Sequence, residues 1–287
     1  MNAITTRSGR LFAKHGSFLS DDEIRSVAPS VFADGAHESR SERFMPIPTS
    51  DVLQGLRREG FEVMQAMQSR SRDEGRREFT KHMLRLRRTG DMTGAPGRAL
   101  GDVFPEAVLV NANDGSSAYT LSAGLFRLVC LNGAVVADRE IGQVRVPHTG
   151  RVVDLVIDGT YTVINESTRA IERAVEWRGI SLSPERQLAF ATRAHELRFA
   201  DADGAINTPI RADQLLVARR FADRGDDLWS VFNRVQEAVT KGGLHGTRID
   251  DRRRAHRVTT RPINGIAQDV KINKGLWQLA ESFAIAA

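Results

Sequence analysis

The sequence predicts an α+β fold: an antiparallel sheet in the N-terminal half, backed and followed by a helical C-terminal half. Three observations lead there. Phe61, Val63 and Met67 lie on one face at period two in 61–70, as do Leu84 and Leu86 within 79–88, the side-chain period of a pleated strand. An Asp-Gly pair, Asp114-Gly115, separates two further apolar runs, as a tight turn does. After His148 the spacing changes, and Val152, Val153, Val156, Ile157, Ile164, Ile171 and Val175 recur with a helical period. Strands gathered first and helices afterwards argue α+β over an alternating α/β sheet.

Residues 1–42 are polar and Ser/Arg-rich and are expected as a mobile arm with one short helix. Ser20 caps that helix, and the acids opening "DDEIRSVAPSVF" suit its N-terminus. "RFMPIPT" (43–49) reads as extended, because two prolines forbid a helix or a central strand. "SDVLQGLRREG" (50–60) reads as a helix capped by Ser50 and ended by Gly60. The runs 61–70 and 79–88 pair as a long hairpin, although a helix competes for the second. On that hairpin Leu84 and Leu86 point one way, while Lys81, Arg85 and Arg87 point the other, with Arg88 at the end. The expectation is one buried face and one basic face. The bland alternative is an edge on which cations discourage aggregation.

"TGDMTGAPGRALGD" (89–102) is a Gly-rich loop without a phosphate-cradling glycine pattern. "EAVLVNANDG" and "SSAYTL" are partner strands. "GLFRLVCLNG" reads either as a short helix stopped at Asn132-Gly133 or as a strand entering a turn there, and "IGQVRVPH" (141–148) is a further strand. Helices follow at 150–178, at 184 onward behind Ser183-Pro184, at 212–223, at 227–243 before two glycines, and at 266–286. The expected parts are an arm over 1–42, a strand-rich part over 43–148 and a helical part over 149–287 with a basic loop at 241–261. One domain over 43–287 is the alternative.

Of 287 residues, 41% are hydrophobic and 27% charged, the profile of a soluble globular protein. No apolar run approaches the roughly 20 residues that a bilayer span needs, so no membrane partner is expected. The N-terminus lacks the apolar core of a signal peptide. One cysteine, Cys130, forms no internal disulfide and no multi-cysteine zinc site, which points to the cytoplasm. Among Val129 and Leu131 it reads as a small buried hydrophobe more than as a nucleophile. Asn111, Asn113 and Asp114 lack the later ligands of a calcium loop, and no metal or cofactor is expected.

Charge is unevenly placed. The chain is net +5, yet 70–88 and 241–261 each carry net +5, leaving the remainder at −5. The second segment holds Arg248, Arg252, Arg253, Arg254, Arg257 and Arg261, with Gly242, Gly243 and Gly246 expected to keep it flexible. Arginine makes charge-assisted, bidentate contacts to phosphate, so a polyanion is the expected partner. An alternative is an enzyme acting on nucleic acid or nucleotide, with His148, Arg127 and Asp114 meeting at the strand ends.

"VLVNANDGSSAYTLSAGLFRLVCLNGAVV" followed by "VPHTG", and later "GGL-G", the arginine run and "VKINKGLWQLAE", resemble the phage- and plasmid-associated proteins of domain-of-unknown-function family 932. The resemblance runs from about Arg43 to Ala280. It implies a mobile-element setting. By a more distant analogy, single-strand annealing proteins back a curved hairpin sheet with helices, form rings and run DNA through a basic groove. The expected function is therefore non-enzymatic DNA binding for a mobile element. It grips phosphate without sequence preference through Lys81, Arg85, Arg87 and Arg88 and through Arg248, Arg252, Arg253, Arg254 and Arg257, as a homo-oligomer that binds or anneals single strands. Inhibition of a host protein is the third class.

Overall fold

The computed structural model describes residues 3–5, 10–14, 16–40, 46–92, 100, 103–127, 132–135, 144–145 and 152–286. The chain forms two compact units, Met1–Ile171 and Glu172–Ala287. The division falls inside the long helix that was expected to open the helical part, not at its start.

The first unit is an antiparallel meander. Strands β1 (Ala3–Thr5), β2 (Leu11–Ala13), β3 (Phe61–Gln68), β4 (His82–Arg88), β5 (Val103–Asn111), β6 (Thr120–Arg127) and β7 (Asn132–Val135) lie side by side in chain order, and β8 (Val144–Arg145) also pairs with β6. The expected hairpin is present as β3 and β4, with a register shift between Val63 and Gln65. Asn132 and Gly133, expected to turn the chain, instead pair with Arg127 and Phe126 as strand residues. Cys130, His148 and residues 93–99 of the Gly-rich loop lie outside the described residues.

Residues 1–42 are more than an arm. β1 and β2 extend the sheet through β3. Helix α1 (Asp21–Val27) carries the expected capping box between Ser20 and Glu23. Leu19, Ile24, Ala28 and Val31 are fully buried, so scattered apolar residues in a polar stretch suffice to seat it. Helix α2 (Thr49–Arg58) starts one residue before the expected Ser50 cap, and Pro48 is its N-cap. The Thr49 hydroxyl serves another purpose, lying 2.9 Å from His82 Nε2 and accepting from Asn111 Nδ2 at 3.0 Å. Ser30 Oγ lies 2.8 Å from the other His82 nitrogen. Burial holds the His82 pKa down from 6.5 to about 4, so the ring is neutral and ties Ser30 and Thr49 to β4.

Helix α3 (Val152–Trp177) begins in this unit. Its Ser167 hydroxyl accepts from Gly124 N at 3.1 Å and lies 3.0 Å from Glu106 O, which seats it over β5 and β6. Every residue of β5 and β6 is buried. A sheet covered on both faces has no solvent side to show in its pattern.

The second unit contains the end of α3 with α4 (Pro184–Phe199), α5 (Leu228–Lys241) and α6 (Ile266–Ile285). Ser183 and Asp227 cap α4 and α5 through the amides of Arg186 and Ser230. Trp177 packs with its ring centroid 4.5 Å from Trp277 and 5.8 Å from Phe232, which stacks on Trp229 at 5.6 Å. The expected helix at 212–223 is absent; two 3-10 turns, Ala212–Leu216 and Phe221–Asp223, take its place. Its apolar residues do not share a buried face: Leu215 is buried, whereas Val217 is 64% and Phe221 84% exposed.

Candidate nucleic-acid interface

The basic segment 241–261 is folded. Strands β9 (His245–Ile249) and β10 (Ala255–Thr259) pair antiparallel as a two-stranded ribbon, which corrects the expectation of a flexible loop. Two glycines set its root. Gly242 ends α5 at φ 63° and Gly243 follows at φ 79°, a left-handed pair that side chains disfavour. Gly246 packs so closely that a Cβ there would lie 2.7 Å from the Pro209 carbonyl oxygen. Arg248 donates to Asn207 O at 2.9 Å, and Gln214 Nε2 donates to His245 O at 2.8 Å. The face carrying Gly246 and Arg248 is thereby held against 207–214. The opposite face presents Ile249 and Arg257, both exposed.

Asp250 organises the tip. Its Oδ1 accepts from Arg252 N and Arg254 N at 2.9 and 2.8 Å, and its Oδ2 lies 3.1 Å from Arg254 Nε and 2.9 Å from His256 Nε2. The Arg254 amide and then the His256 ring hold its carboxyl below the usual carboxylate range. Arg253 sits at φ 58° in the turn. Arg254 and Arg248 are thus engaged. Arg252, Arg253, Arg257 and Arg261 are exposed, and no described acid pairs with them.

The β3–β4 hairpin is different from the basic face expected of it. Arg85 and Arg87 are 1% and 4% exposed. Both bind Glu106 of β5, Arg85 Nε at 2.5 Å and Arg87 Nη2 at 2.7 Å, and Glu106 is itself fully buried. Arg87 also stacks 3.9 Å from the centroid of Phe104. These two arginines therefore lie in the core and offer no solvent-facing grip. Lys81 is half-buried, and the exposed Arg88 lies 5.8 Å from the ring of Tyr161.

The proposed enzymatic trio is not assembled. Asp114 lies in the connection before Thr120, where its Oδ1 accepts from Ser116 N at 2.9 Å, and Arg127 is the last residue of β6. An eight-residue strand separates the two ends by roughly 24 Å at about 3.4 Å per residue, far beyond hydrogen-bond reach. Among the described residues, no group of three metal-ligating side chains gathers, and no helix is long and apolar enough to cross a membrane.

A family model described as "Domain of unknown function (DUF932)" matches residues 36–277. The chain belongs to the DUF932 family. That match takes in β3 through β10, so the ribbon is inside the DUF932 region, whereas β1, β2 and α1 precede it. The chain is 44% identical over 264 residues to UPF0380 protein YafZ of Escherichia coli (strain K12), covering 92% of this chain and 91% of the relative. It is 43% identical over 264 residues, with the same shares, to UPF0380 protein YfjQ of the same strain. No solved structure matches the chain.

Proposed function

We propose that this protein binds nucleic acid, gripping the phosphate backbone without sequence preference through the β9–β10 ribbon, in the service of a phage or plasmid. The observation that carries the reading is the ribbon's free charge. Arg252, Arg253, Arg257 and Arg261 are exposed and unpaired on and beside a fixed two-stranded element, while Asp250, one of the turn's two acids, is spent on backbone amides, Arg254 and His256 and leaves only Asp251 exposed against them. Guanidinium groups in that state suit bidentate contacts to phosphate oxygens, which position a protein on a nucleic acid without reading its sequence. The mobile-element setting rests on the family resemblance alone.

A salt titration with fluorescent oligonucleotides tests this function. Four phosphates neutralised on a single strand correspond to a slope of about −3 in log K against log salt, at roughly −0.7 each. Replacing Arg252, Arg253 and Arg257 with alanine lowers the slope in magnitude by about 2. No binding at low salt, or binding indifferent to salt, refutes the function. An unchanged slope in the triple variant moves the contact away from the ribbon.

A further inference from the structure

Phe221 is 84% exposed, the most solvent-open aromatic ring among the exposed large side chains of the described residues. It stands on a short turn whose neighbours are fastened down. Arg219 Nη2 donates to Gly242 O at 2.5 Å, at the residue that ends α5 and opens the path to the ribbon. Arg220 pairs with Glu237 of α5. Burial raises that carboxyl, and Arg220 and Lys241 together draw it below the usual carboxylate range. The turn is therefore clamped on both of the preceding residues, and the ring is held out from a fixed base at the root of the ribbon.

The charge around the ring is sorted. Asp223 is 2% exposed, Asp226 accepts from Gln187 Nε2 at 3.0 Å, and Asp227 caps α5. Arg224 is exposed, with its guanidinium 5.4 Å from the Phe221 centroid. Asp223 turns inward and Asp227 is spent on the α5 cap, while Asp226 stays exposed on its bond from Gln187 and Arg224 stands outward with the ring. An exposed ring with a cation beside it suits a flat base on an anionic backbone.

We propose that Phe221 is a stacking platform for an unpaired nucleobase, with Arg224 on the adjoining phosphate, so that the preferred ligand is single-stranded. This rests on the nucleic-acid reading above and adds to it the strand form and the residue that selects it. Trp229 and Trp277 are 4% and 0% exposed and are closed to a base.

The experiment compares the full-length chain with F221A and F221W. The probes are a fluorescent oligothymidine of roughly 15 nucleotides, near the upper site size of a single binding fold, and an abasic strand with the same phosphates. Near-UV circular dichroism of the buried tryptophans verifies folding. F221A is expected to weaken oligothymidine binding about tenfold, as loss of one stacked base does, with the salt slope unchanged. On the abasic strand F221A and wild type bind alike. F221W binds oligothymidine as wild type does, and the exposed indole is quenched by it. Equal wild-type and F221A affinity for oligothymidine overturns the stacking role while leaving ribbon binding intact. Equal losses on both strands overturn it as well, because the ring would then act on the backbone. Absence of wild-type binding to either strand at low salt refutes the nucleic-acid function itself and the stacking role with it.

Discussion

Acid should weaken the first unit through His82. The ring is fully buried, its two nitrogens are 2.8 and 2.9 Å from the hydroxyls of Ser30 and Thr49, and its pKa falls from 6.5 to about 4 because burial disfavours the charged form. In the unfolded chain the ring takes up a proton near 6.5, whereas in the folded chain it resists until about 4. The stability it contributes is complete above 6.5 and is lost as pH falls from there to about 4. One proton over that interval amounts to about 3 kcal/mol, of which about 2 is gone by about pH 5. The comparison is wild type against H82Q, whose amide is neutral throughout. The readout is hydrogen exchange of β4 and β5 amides between about pH 7.5 and about pH 5, corrected for intrinsic rates. The expected result is that the wild type loses about 2 kcal/mol more protection than H82Q over that range. Parallel profiles refute the reasoning, since they would mean that the buried ring carries no proton linkage.

Replacing Glu106 with glutamine strips the shared carboxylate from buried Arg85 and Arg87, and breaking one buried pair already costs about 3–5 kcal/mol; a melt of E106Q within about 1 kcal/mol of wild type would sink that reading of the pair. Gly246→Ala forces a Cβ to within 2.7 Å of Pro209 O, so exchange of ribbon amides should rise while α4, α5 and α6 keep their protection; unchanged ribbon exchange contradicts the close packing. Asp250→Ala adds one net positive charge to the ribbon but frees the turn. Weaker nucleic-acid binding than wild type is expected, and tighter binding would show that charge alone governs the grip.

Period-two spacing made the β3–β4 hairpin legible, and the change of period after His148 made α3 legible, because both signals are local. The fate of the cations on that hairpin was not local. Arg85 and Arg87 read as a solvent face because they alternate with Leu84 and Leu86, but Glu106 lies in the next strand, on the same face as Arg85's partner Val108. Only the sheet register brings the carboxylate under both guanidinium groups. The basic segment shows the opposite error. Glycines and arginines with few large apolar residues read as a flexible loop, because the period-two signal of β9 and β10 is too short and too polar to register. The cue that was present is the spacing of Asp250 to Arg254, which permits an acid-capped turn between two short strands. Phe221 was hidden inside an expected helix; its cue was the flanking cations at Arg219, Arg220 and Arg224.

That folding of the arginine run alters what the charge can do. A flexible loop of the same composition would have to fix its backbone on binding, at about 1–2 kcal/mol per ordered residue, and that would consume much of the gain from each phosphate contact. In the ribbon the ordering is complete beforehand. Gly246 seats one face against Pro209, Asp250 closes the turn, and cross-strand pairing holds Arg257 opposite Thr247 on the exposed face. The cost of that order is paid in charge: Arg254 and Arg248 are withdrawn to hold the structure, leaving fewer free guanidinium groups on fixed supports. Fewer, positioned cations give a shallower salt dependence than a full count of the segment's arginines would. The slope therefore reports which arginines meet phosphate, and a slope matching all six would mean that the ribbon opens when it binds.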